Sequence, residues 1–271
     1  MPPDPTTARE LLDFYLEAGA DALVGEEPVD RFAETPPAPR AAPAPKAAAP
    51  SQRPVVAAPT LAPAAPDTAA MEAREAAKSA ASLDELRAIL ERFDGCALKA
   101  TASRLVFSDG NPQSRLMLVG EAPGRDEDIE GLPFVGRSGK LLDRMLAAIG
   151  FDRSSVYIAN VVPWRPPGNR TPTPQETQVC LPFITRQIEL ANPDVLVCLG
   201  GPSAQTLLGQ SGITKIRGRW FTFDTGAREI RALPTFHPAF LLRSPLQKRF
   251  AWRDFLAIKK ALSGGMSQTV A

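Results

Sequence analysis

The sequence RLMLVGEAPGRDEDIEGLPFVGRSGKLL, residues 115–142, decides the fold because it joins an apolar strand, a glycine-rich loop and the start of an amphipathic helix. Such a turn first suggests a phosphate site, since backbone N–H groups at a helix N-terminus bind anions. However, Gly139-Lys140 is followed by Leu141 instead of serine or threonine, and Phe134 occupies the place of the motif's first glycine. The glycine spacing also fails the G-x-G-x-x-G pattern of dinucleotide sites. The loop is therefore expected to hold another small planar or anionic group.

Strand and helix patterns alternate on both sides of this stretch, as is typical of a parallel sheet covered by helices on both faces. The pattern predicts a three-layer α/β/α fold with a central, mostly parallel, four-stranded sheet, preceded by an N-terminal helix and a disordered linker. Strands are predicted at residues 115–120, 156–162, 194–200, 218–223 and 230–236, and helices at 71–93, 138–150, 173–191, 202–209 and 246–262. Because ligands of such sheets bind at the carboxyl ends of the strands, the loops there should form the site.

The charge of the chain is small but unevenly distributed. The 271 residues are 44% hydrophobic and carry a formal net charge of +1. Residues 1–35 contain nine acidic side chains against two arginines, whereas residues 211–260 contain eleven lysines and arginines against three acids. The C-terminal part is thus a candidate for contact with a polyanion. Three widely separated cysteines, without a signal peptide or a long apolar run, indicate the cytoplasm and no membrane segment.

The sequence before the domain divides into two segments. Residues 1–35 include a short acidic amphipathic helix at 8–24. Residues 36–67 contain ten prolines among thirty-two residues and are expected to be an extended linker without fixed structure. The domain itself is predicted at 70–265, with Ser82 as a helix cap. The first helix is either a loosely packed end or a docking peptide for a protein partner, and the protein is expected to be a monomer.

Three side chains at strand ends are suited to a nucleobase. The amide of Asn160 offers one acceptor and two donors, which match the O4 and N3–H edge of uracil. Phe134 could stack on a base, and His237, the only histidine, sits at a strand end before a proline. A single histidine is more often structural, and a loop phenylalanine usually belongs to the core. Together, at successive strand ends, the three residues favour a functional site.

Three segments then resemble the motifs of the family 4 uracil-DNA glycosylases. They are GEAPGRDEDIEGLPFVGRSGKLL (120–142), VYIANVVPWRPPGNRTPTP (156–174) and LPTFHPAFLLR (233–243), in this order and spacing. GEAPG alone would be weak evidence, but three ordered motifs are specific, and the resemblance runs from about residue 90 to 262. It implies a monofunctional glycosylase that flips uracil out of DNA and hydrolyses its N-glycosidic bond, leaving an abasic site for base excision repair. Such an enzyme would work at the nucleoid of a bacterial-type cell.

The resemblance also implies a role for each site residue. Phe134 would stack on the flipped uracil, and Asn160 would read its O4 and N3 edge. His237 would donate a hydrogen bond to uracil O2 as negative charge builds there, acting as an electrostatic stabiliser and not as a proton donor. Cytosine would present a donor and an unprotonated N3 to the amide, and such mismatched buried polar groups discriminate strongly between substrates.

A carboxylate near the sugar carbon C1′ should stabilise the developing cation and orient the attacking water. By motif position the candidates are Glu121 and Glu127, and the sequence leaves this choice open. Gly120 and Ala122 are expected to border the substrate. Asn169 is expected to support the pocket or the water.

DNA contacts are expected in the basic C-terminal part. Leu241, four residues after His237, matches the position from which the superfamily inserts a wedge into the vacated base stack. Lys259 and Lys260 are equally well explained by a solvated helix face. The cations expected to hold phosphates are Lys215, Arg217, Arg243, Lys248 and Arg249. Three acids of RDEDIEG are expected to form a solvated turn, namely Asp126, Asp128 and Glu130.

The cysteines depart from the family pattern. Members of family 4 bind an iron–sulfur cluster through four cysteines. Cys96 and Cys180 match two of these positions, but Phe93 and Trp164 stand at the other two. Cys198 lies inside a predicted strand and is expected in the core. We therefore expect a protein without a cofactor or metal, in which aromatic packing replaces the cluster.

Two other functions stay open on the sequence alone. The protein could be a DNA module that binds uracil or abasic sites with little turnover, or an adaptor whose main feature is the N-terminal helix and linker. The presence of Glu121, Asn160 and His237 together favours catalysis.

Overall fold

The computed structural model describes residues 66–263, with side chains from residue 68 onward. The predicted segment 1–35 and the linker up to residue 65 lie outside the described residues, as does the end of the chain after residue 263.

Helices and strands alternate through the described part of the chain. The helices are α1 Pro66–Ser79, α2 Leu83–Arg92, α3 Arg125–Glu130, α4 Arg137–Ile149, α5 Pro174–Ala191, α6 Gly201–Leu208, α7 Ile213–Ile216, α8 Pro238–Arg243 and α9 Lys248–Ser263. The strands are β1 Asp109–Gly110, β2 Leu116–Gly120, β3 Tyr157–Asn160, β4 Val195–Leu199, β5 Phe221–Asp224 and β6 Glu229–Thr235. None of the helices between residues 66 and 263 combines the length and apolar character needed to cross a membrane.

The strands form one sheet in the order β1-β3-β2-β4-β6-β5. The four inner strands are parallel, and β1 and β5 add antiparallel edges. The prediction of a mostly parallel sheet is confirmed, but its count of four strands is wrong, because the sheet has six. The two-residue β1 is too short to give a sequence pattern, and β5 joins as a hairpin with β6.

Alternation along the strands divides the interior into two cores, one on each face of the sheet. Met117 and Val119 of β2 face a core that includes side chains of α1, α2, α5 and α6. Leu116 and Leu118 of the same strand face the other core, with α4 and α9. Successive strand side chains point to opposite faces, so a strand buried on both sides must be apolar throughout. The three-layer α/β/α prediction is therefore confirmed.

The first helical region differs from its prediction. Residues 71–93 were expected to form one helix, but the chain forms α1 and α2, and the Ser82 side chain caps α2 by accepting from Glu85 N at 3.2 Å. Helix α1 begins at Pro66, inside the predicted linker, and buries Ala73 in the core. Alanine carries too little apolar surface to stand out from an Ala/Pro-rich linker in sequence, yet its small size allows close helix packing.

The carboxyl ends of the parallel strands meet along one edge of the sheet. Gly120 at the end of β2 is the register partner of Asn160 at the end of β3. Leu199 at the end of β4 is the partner of Thr235 at the end of β6. The loops that follow these four residues therefore leave the sheet side by side.

Candidate active site

A cavity of about 690 Å³ opens at this edge of the sheet. Its walls come from the loops after β2, β3, β4 and β6. The predicted site residues that line it are Glu121, Ala122, Glu127, Phe134, Asn160, Asn169, His237 and Arg243. The structure thus brings residues more than a hundred positions apart into one site, and its volume falls in the usual range for small-molecule pockets.

Phe134 forms a wall of the cavity in a strained backbone conformation. Its φ of 55° lies in the left-handed region, which bulky residues rarely adopt. Its carbonyl oxygen accepts a hydrogen bond from Arg153 Nη2, and a side chain at Gly139 would collide with the same carbonyl. The buried ring lies 5.4 Å from the His237 ring, centroid to centroid, with the planes at 30°. Strain of this kind persists only where the surroundings hold it, and it often marks a functional site.

The carboxylate of Glu127 holds this loop together. One oxygen, Oε1, accepts from the backbone N–H groups of Val135 and Gly136, both at 3.1 Å. The other, Oε2, accepts from Gly124 N at 3.1 Å. Both oxygens are therefore occupied by the backbone on either side of α3, next to Phe134. The contact with Gly124 is a local cap of α3, but those with Val135 and Gly136 link residues eight and nine positions apart across a loop, so no local sequence pattern signals them.

Asn160 and Phe134 meet above Gly120. The Asn160 side chain is buried at the cavity wall. A Cβ added to Gly120 would collide with Asn160 Oδ1 and would lie 2.7 Å from Phe134 Cζ. Gly120 therefore serves the site by leaving room for these two side chains and does not itself line the cavity.

Glu121 is placed differently from Glu127. Its Oε1 atom is buried and finds no hydrogen-bond partner among the described residues. Burial raises the pKa of its carboxyl group above the ordinary value. Glu121 also lies in the wall of a second cavity of about 440 Å³, lined in part by Thr177, Gln205 and Thr206. An unpaired buried oxygen beside a roomy cavity with hydroxyl and amide side chains in its wall is suited to bind water.

His237 is held as a neutral imidazole with a defined tautomer. Its Nδ1 accepts from Ala239 N at 3.1 Å at the start of α8, so in the neutral ring the proton sits on Nε2. Burial first, and then the positive charge of Arg243, lower the pKa of His237 to about 4. The sequence analysis missed Gly200, which lies against the His237 side chain. A Cβ added at Gly200 would lie 3.1 Å from His237 Cβ.

Asn169 is fixed at the cavity rim by a network that corrects one prediction. Arg165 Nε donates to Asn169 Oδ1 at 2.7 Å, and Arg165 Nη1 lies 3.9 Å from Asp128 Oδ2. Asp128 is buried, and its Oδ1 accepts from the backbone N–H groups of Ser103 and Arg104 at 2.8 and 3.3 Å. The prediction of a solvated turn is therefore wrong for Asp128, which anchors α3 to the segment that precedes β1.

Arg217 is not free to hold a phosphate. Its guanidinium pairs with both carboxylate oxygens of buried Asp254 and donates to Phe250 O at 2.7 Å. Asp254 also accepts from the Thr235 hydroxyl at 2.7 Å. The predicted DNA contact is wrong for Arg217, because its charge is neutralised inside the domain.

Leu241 does not project from the surface. It is fully buried and packs with Phe236 and Ala251 in a small core cluster. Helix α8 begins at Pro238, which turns position 241 toward the interior. Leu241 would have to leave this cluster to act as the predicted wedge, and that role stays a prediction. The other predicted DNA contacts are exposed, namely Lys215, Arg243, Lys248 and Arg249.

The cysteine corner does not fit a four-thiolate cluster. The Sγ atoms of Cys96 and Cys180 lie 3.9 Å apart in the core. Trp164 is buried in the same cluster of side chains, and the Phe93 ring packs edge-on against Phe183 with centroids 5.0 Å apart. Neither aromatic residue carries a metal-ligating atom, so among the described residues Cys96 and Cys180 supply the only two thiols at this corner. Cys198 is buried in β4, where desolvation raises its pKa to about 12.

Comparison with known proteins identifies the family. Residues 107–256 match the sequence profile of the Uracil DNA glycosylase superfamily. A type-4 uracil-DNA glycosylase of Archaeoglobus fulgidus is 39% identical over 182 residues, which cover 65% of this chain and 92% of that protein. A type-4 uracil-DNA glycosylase of Thermotoga maritima is 43% identical over 157 residues, which cover 57% of this chain and 80% of that protein. The chain therefore belongs to the uracil-DNA glycosylase superfamily and, within it, to the type-4 family.

Proposed function

We propose that the protein is a DNA-repair glycosylase that hydrolyses the N-glycosidic bond of uracil in DNA and leaves an abasic site. The observation that carries this proposal is the meeting of Phe134, Asn160 and His237 around one cavity at the carboxyl edge of the sheet. Asn160 ends β3, and the other two lie after β2 and β6. Together they offer an aromatic face, an amide and a neutral imidazole donor to one flat base.

Recognition of uracil follows from the first two residues. A target base must leave the duplex to reach such a cavity, and the flipped base is then read by stacking and by hydrogen bonds. Phe134 stacks on uracil, and the Asn160 amide pairs with O4 and N3–H. Gly120 keeps both side chains in position because any larger residue would displace them. Ala122 borders the same space.

His237 stabilises the leaving group. When the bond between C1′ and N1 breaks, its electron pair goes to uracil, and negative charge builds on O2. The Nε2–H group of the neutral imidazole donates a hydrogen bond to this oxygen, while Ala239 N–H fixes the ring through Nδ1. A preorganised donor of this kind stabilises developing charge without giving up its proton.

Of the two carboxylates, Glu121 handles the water. Both oxygens of Glu127 already accept backbone hydrogen bonds, so Glu127 positions the Phe134 loop. Glu121 keeps a buried oxygen without a partner among the described residues and faces two cavities. Its carboxylate stabilises positive charge at C1′ and accepts a proton from the water that attacks there. Asn169 supports the rim of the pocket.

Exposed cations of the C-terminal part bind the DNA backbone. Lys215, Lys248 and Arg249 are exposed, and Arg243 lies at the cavity itself. Phosphate contacts by such residues contribute affinity that does not depend on sequence and that falls with salt. We further propose that the enzyme acts as a monomer, at the nucleoid in the cytoplasm, where reduced cysteines such as its three free ones persist.

The test of the function is excision itself. Pure protein is incubated with a uracil-containing oligonucleotide, and alkali then cleaves the strand at each abasic site. We expect cleavage at comparable rates by the full chain and by a chain that begins at Pro66, because residues 66–263 include every proposed site residue. Binding of the oligonucleotide without cleavage would instead identify a binding module, and a protein that does neither would contradict the proposal altogether.

We also propose that the enzyme works without an iron–sulfur cluster. Protein purified without oxygen should be colourless and contain no stoichiometric iron, because Cys96 and Cys180 supply only two of the four usual ligands. Changing both cysteines to serine should leave excision intact. Trp164→Ala should lower the free energy of unfolding by about 3 kcal/mol, as expected for loss of a buried aromatic side chain. Near-stoichiometric iron and sulfide in the anaerobic protein would overturn this proposal.

A further inference from the structure

A buried ion pair contacts the end of strand β6, two residues before His237. Asp254 of α9 is 2% exposed; its Oδ2 accepts from Arg217 Nε at 3.0 Å, and its Oδ1 accepts from Arg217 Nη2. Oδ2 also accepts from the hydroxyl of Thr235, the last residue of β6, at 2.7 Å. The three side chains therefore tie α9 and the segment after α7 to the strand that leads into the active site.

Stability alone does not account for this pair. Burial is the largest influence on the pKa of the Asp254 carboxyl and raises that pKa above its ordinary value, although Thr235 and Arg217 both act to lower it. Buried ion pairs often stabilise a fold no better than apolar side chains of similar size, because the cost of leaving water offsets their attraction. What such a pair adds is direction, since each hydrogen bond fixes the position of its partner. The partner here is the last residue of β6.

Arg217 also contacts the residue that directly precedes His237. Its Cζ atom lies 5.6 Å from the centre of the Phe236 ring and 5.3 Å from the centre of the Phe250 ring, both within the range of cation–π attraction. Phe236 is buried, and its ring lies 4.9 Å from the ring of Phe240 in α8, centroid to centroid. Phe236 is thus packed against both the ion pair and the helix that begins directly after His237.

Two glycines leave room for this arrangement. Gly218 has a φ of 72°, and a Cβ added there would lie 2.5 Å from Asp254 Oδ1. Gly200 N donates to the Thr235 carbonyl oxygen at 2.9 Å, and Gly200 also lies against the His237 side chain. The end of β6 is therefore held both through its side chain and through its backbone, immediately before the imidazole.

We propose that Asp254, together with Arg217 and Thr235, is a positioning group that fixes the orientation of the His237 imidazole toward uracil. The proposal rests on the proposed glycosylase function. None of the three side chains needs to touch the base, because they act through the two residues that precede His237. A donor stabilises developing charge only if it is held in place beforehand, and a displacement of about 1 Å can cost about a hundredfold in rate.

The first experiment observes the imidazole itself. His237 is the only histidine, so in the full chain, prepared without a histidine tag, the imidazole nitrogen NMR signals belong to it alone. Near neutral pH the wild-type signals should be those of a neutral ring with its proton on Nε2. In Asp254→Asn and Thr235→Val the ring should lose its fixed orientation, and the signals should move toward the average of the two tautomers.

Tyr157→Phe is the matched control for these variants. It removes a buried side-chain hydrogen bond, the one that Gln187 Nε2 donates to the Tyr157 hydroxyl at 2.9 Å, in the core that contains α1 and α5. It should leave the imidazole signals and the excision rate at their wild-type values. Thr235→Ser keeps the hydroxyl that Asp254 binds and should also behave as wild type.

Rates and binding complete the test. Single-turnover excision should slow about tenfold or more in Thr235→Val, whereas the Kd for a duplex with 2′-fluoro-deoxyuridine, which resists cleavage, should change by less than about threefold. Thr235→Val leaves no charge unpaired, so it decides the question even if Asp254→Asn fails to fold. Wild-type imidazole signals in Thr235→Val, or a rate loss no larger than that of Tyr157→Phe, would overturn the positioning role and leave the glycosylase function standing. A wild-type protein that excises no uracil would instead overturn the function on which this role rests.

Discussion

Replacing His237 by alanine should lower uracil excision by about a hundredfold or more, because loss of one preorganised donor to a developing oxyanion typically costs that much. The imidazole lines the cavity, and its Nδ1 contact with Ala239 N–H leaves Nε2–H for the substrate. The rate would be measured in single turnover on uracil-containing DNA. An excision rate within tenfold of wild type would remove His237 from the mechanism.

Two controls separate chemistry from folding in this variant. His237 also caps the short helix α8, so melting temperatures must be compared beside the rates. Asn160→Ala, at the other end of the expected base, should give a loss of similar size without touching α8. A large loss of rate in both variants with little loss of stability would support the site roles.

The pH dependence provides an independent check on the state of the imidazole. The pKa of His237 is lowered from its ordinary 6.5 to about 4, so the folded enzyme holds it neutral through pH 7 and below 6. Wild-type excision should then show no step near pH 6.5 that belongs to this residue. The lowered pKa also makes the free energy of unfolding depend on pH. The stabilising contribution of the neutral ring is fully present above pH 6.5 and is lost as pH falls toward 4.

The parallel strands at the centre of the sheet could be predicted from sequence, but the start of helix α1 and the edge strand β1 could not. Strands β2, β3 and β4 are buried apolar runs between turn residues, and that pattern is local. The start of α1 was missed because alanine and proline next to a linker give no clear period. Edge strand β1 was missed because Asp109–Gly110 is stabilised by its neighbour β3 and not by its own sequence.

Some properties of the site residues could likewise be predicted from sequence, and others could not. Phe134, Asn160 and His237 could be found because each lies at or after the end of a strand and belongs to a recognisable motif. The backbone contacts of Glu127 could not be found, since its partners Val135 and Gly136 lie across a loop whose path only the folded chain defines. The burial of Leu241 likewise depends on helix α8, which the sequence pattern did not reveal.

The second large effect is expected at Glu121, the carboxylate that we propose activates the water. Glu121→Gln should slow excision about a hundredfold or more, which is the usual contribution of a positioned general base. The amide retains the size of the side chain but cannot accept the proton of the attacking water. Its melting temperature should not fall, because a buried carboxylate oxygen without a partner among the described residues is replaced by a neutral group that is easier to bury.

Glu127→Gln is the matched comparison, because the same chemical change there removes a different property. Glu127 accepts three backbone hydrogen bonds, and an amide nitrogen would face at least one N–H group with another donor. We expect a loss of about 1–3 kcal/mol in the free energy of unfolding, the usual cost of leaving a buried polar group unpaired. Excision by this variant should also fall, because Phe134 is misplaced. The variant should bind uracil-containing DNA more weakly for the same reason.

The pH profile distinguishes the two carboxylates further. Burial raises the pKa of Glu121, and water activation requires the ionised form, so wild-type excision should increase as pH rises through that raised pKa. This rise should be absent from the residual activity of Glu121→Gln and should persist in Glu127→Gln. If Glu127→Gln lost the rise and Glu121→Gln kept it, Glu127 would be the residue that activates the water. The two roles proposed for these carboxylates would then have to be exchanged.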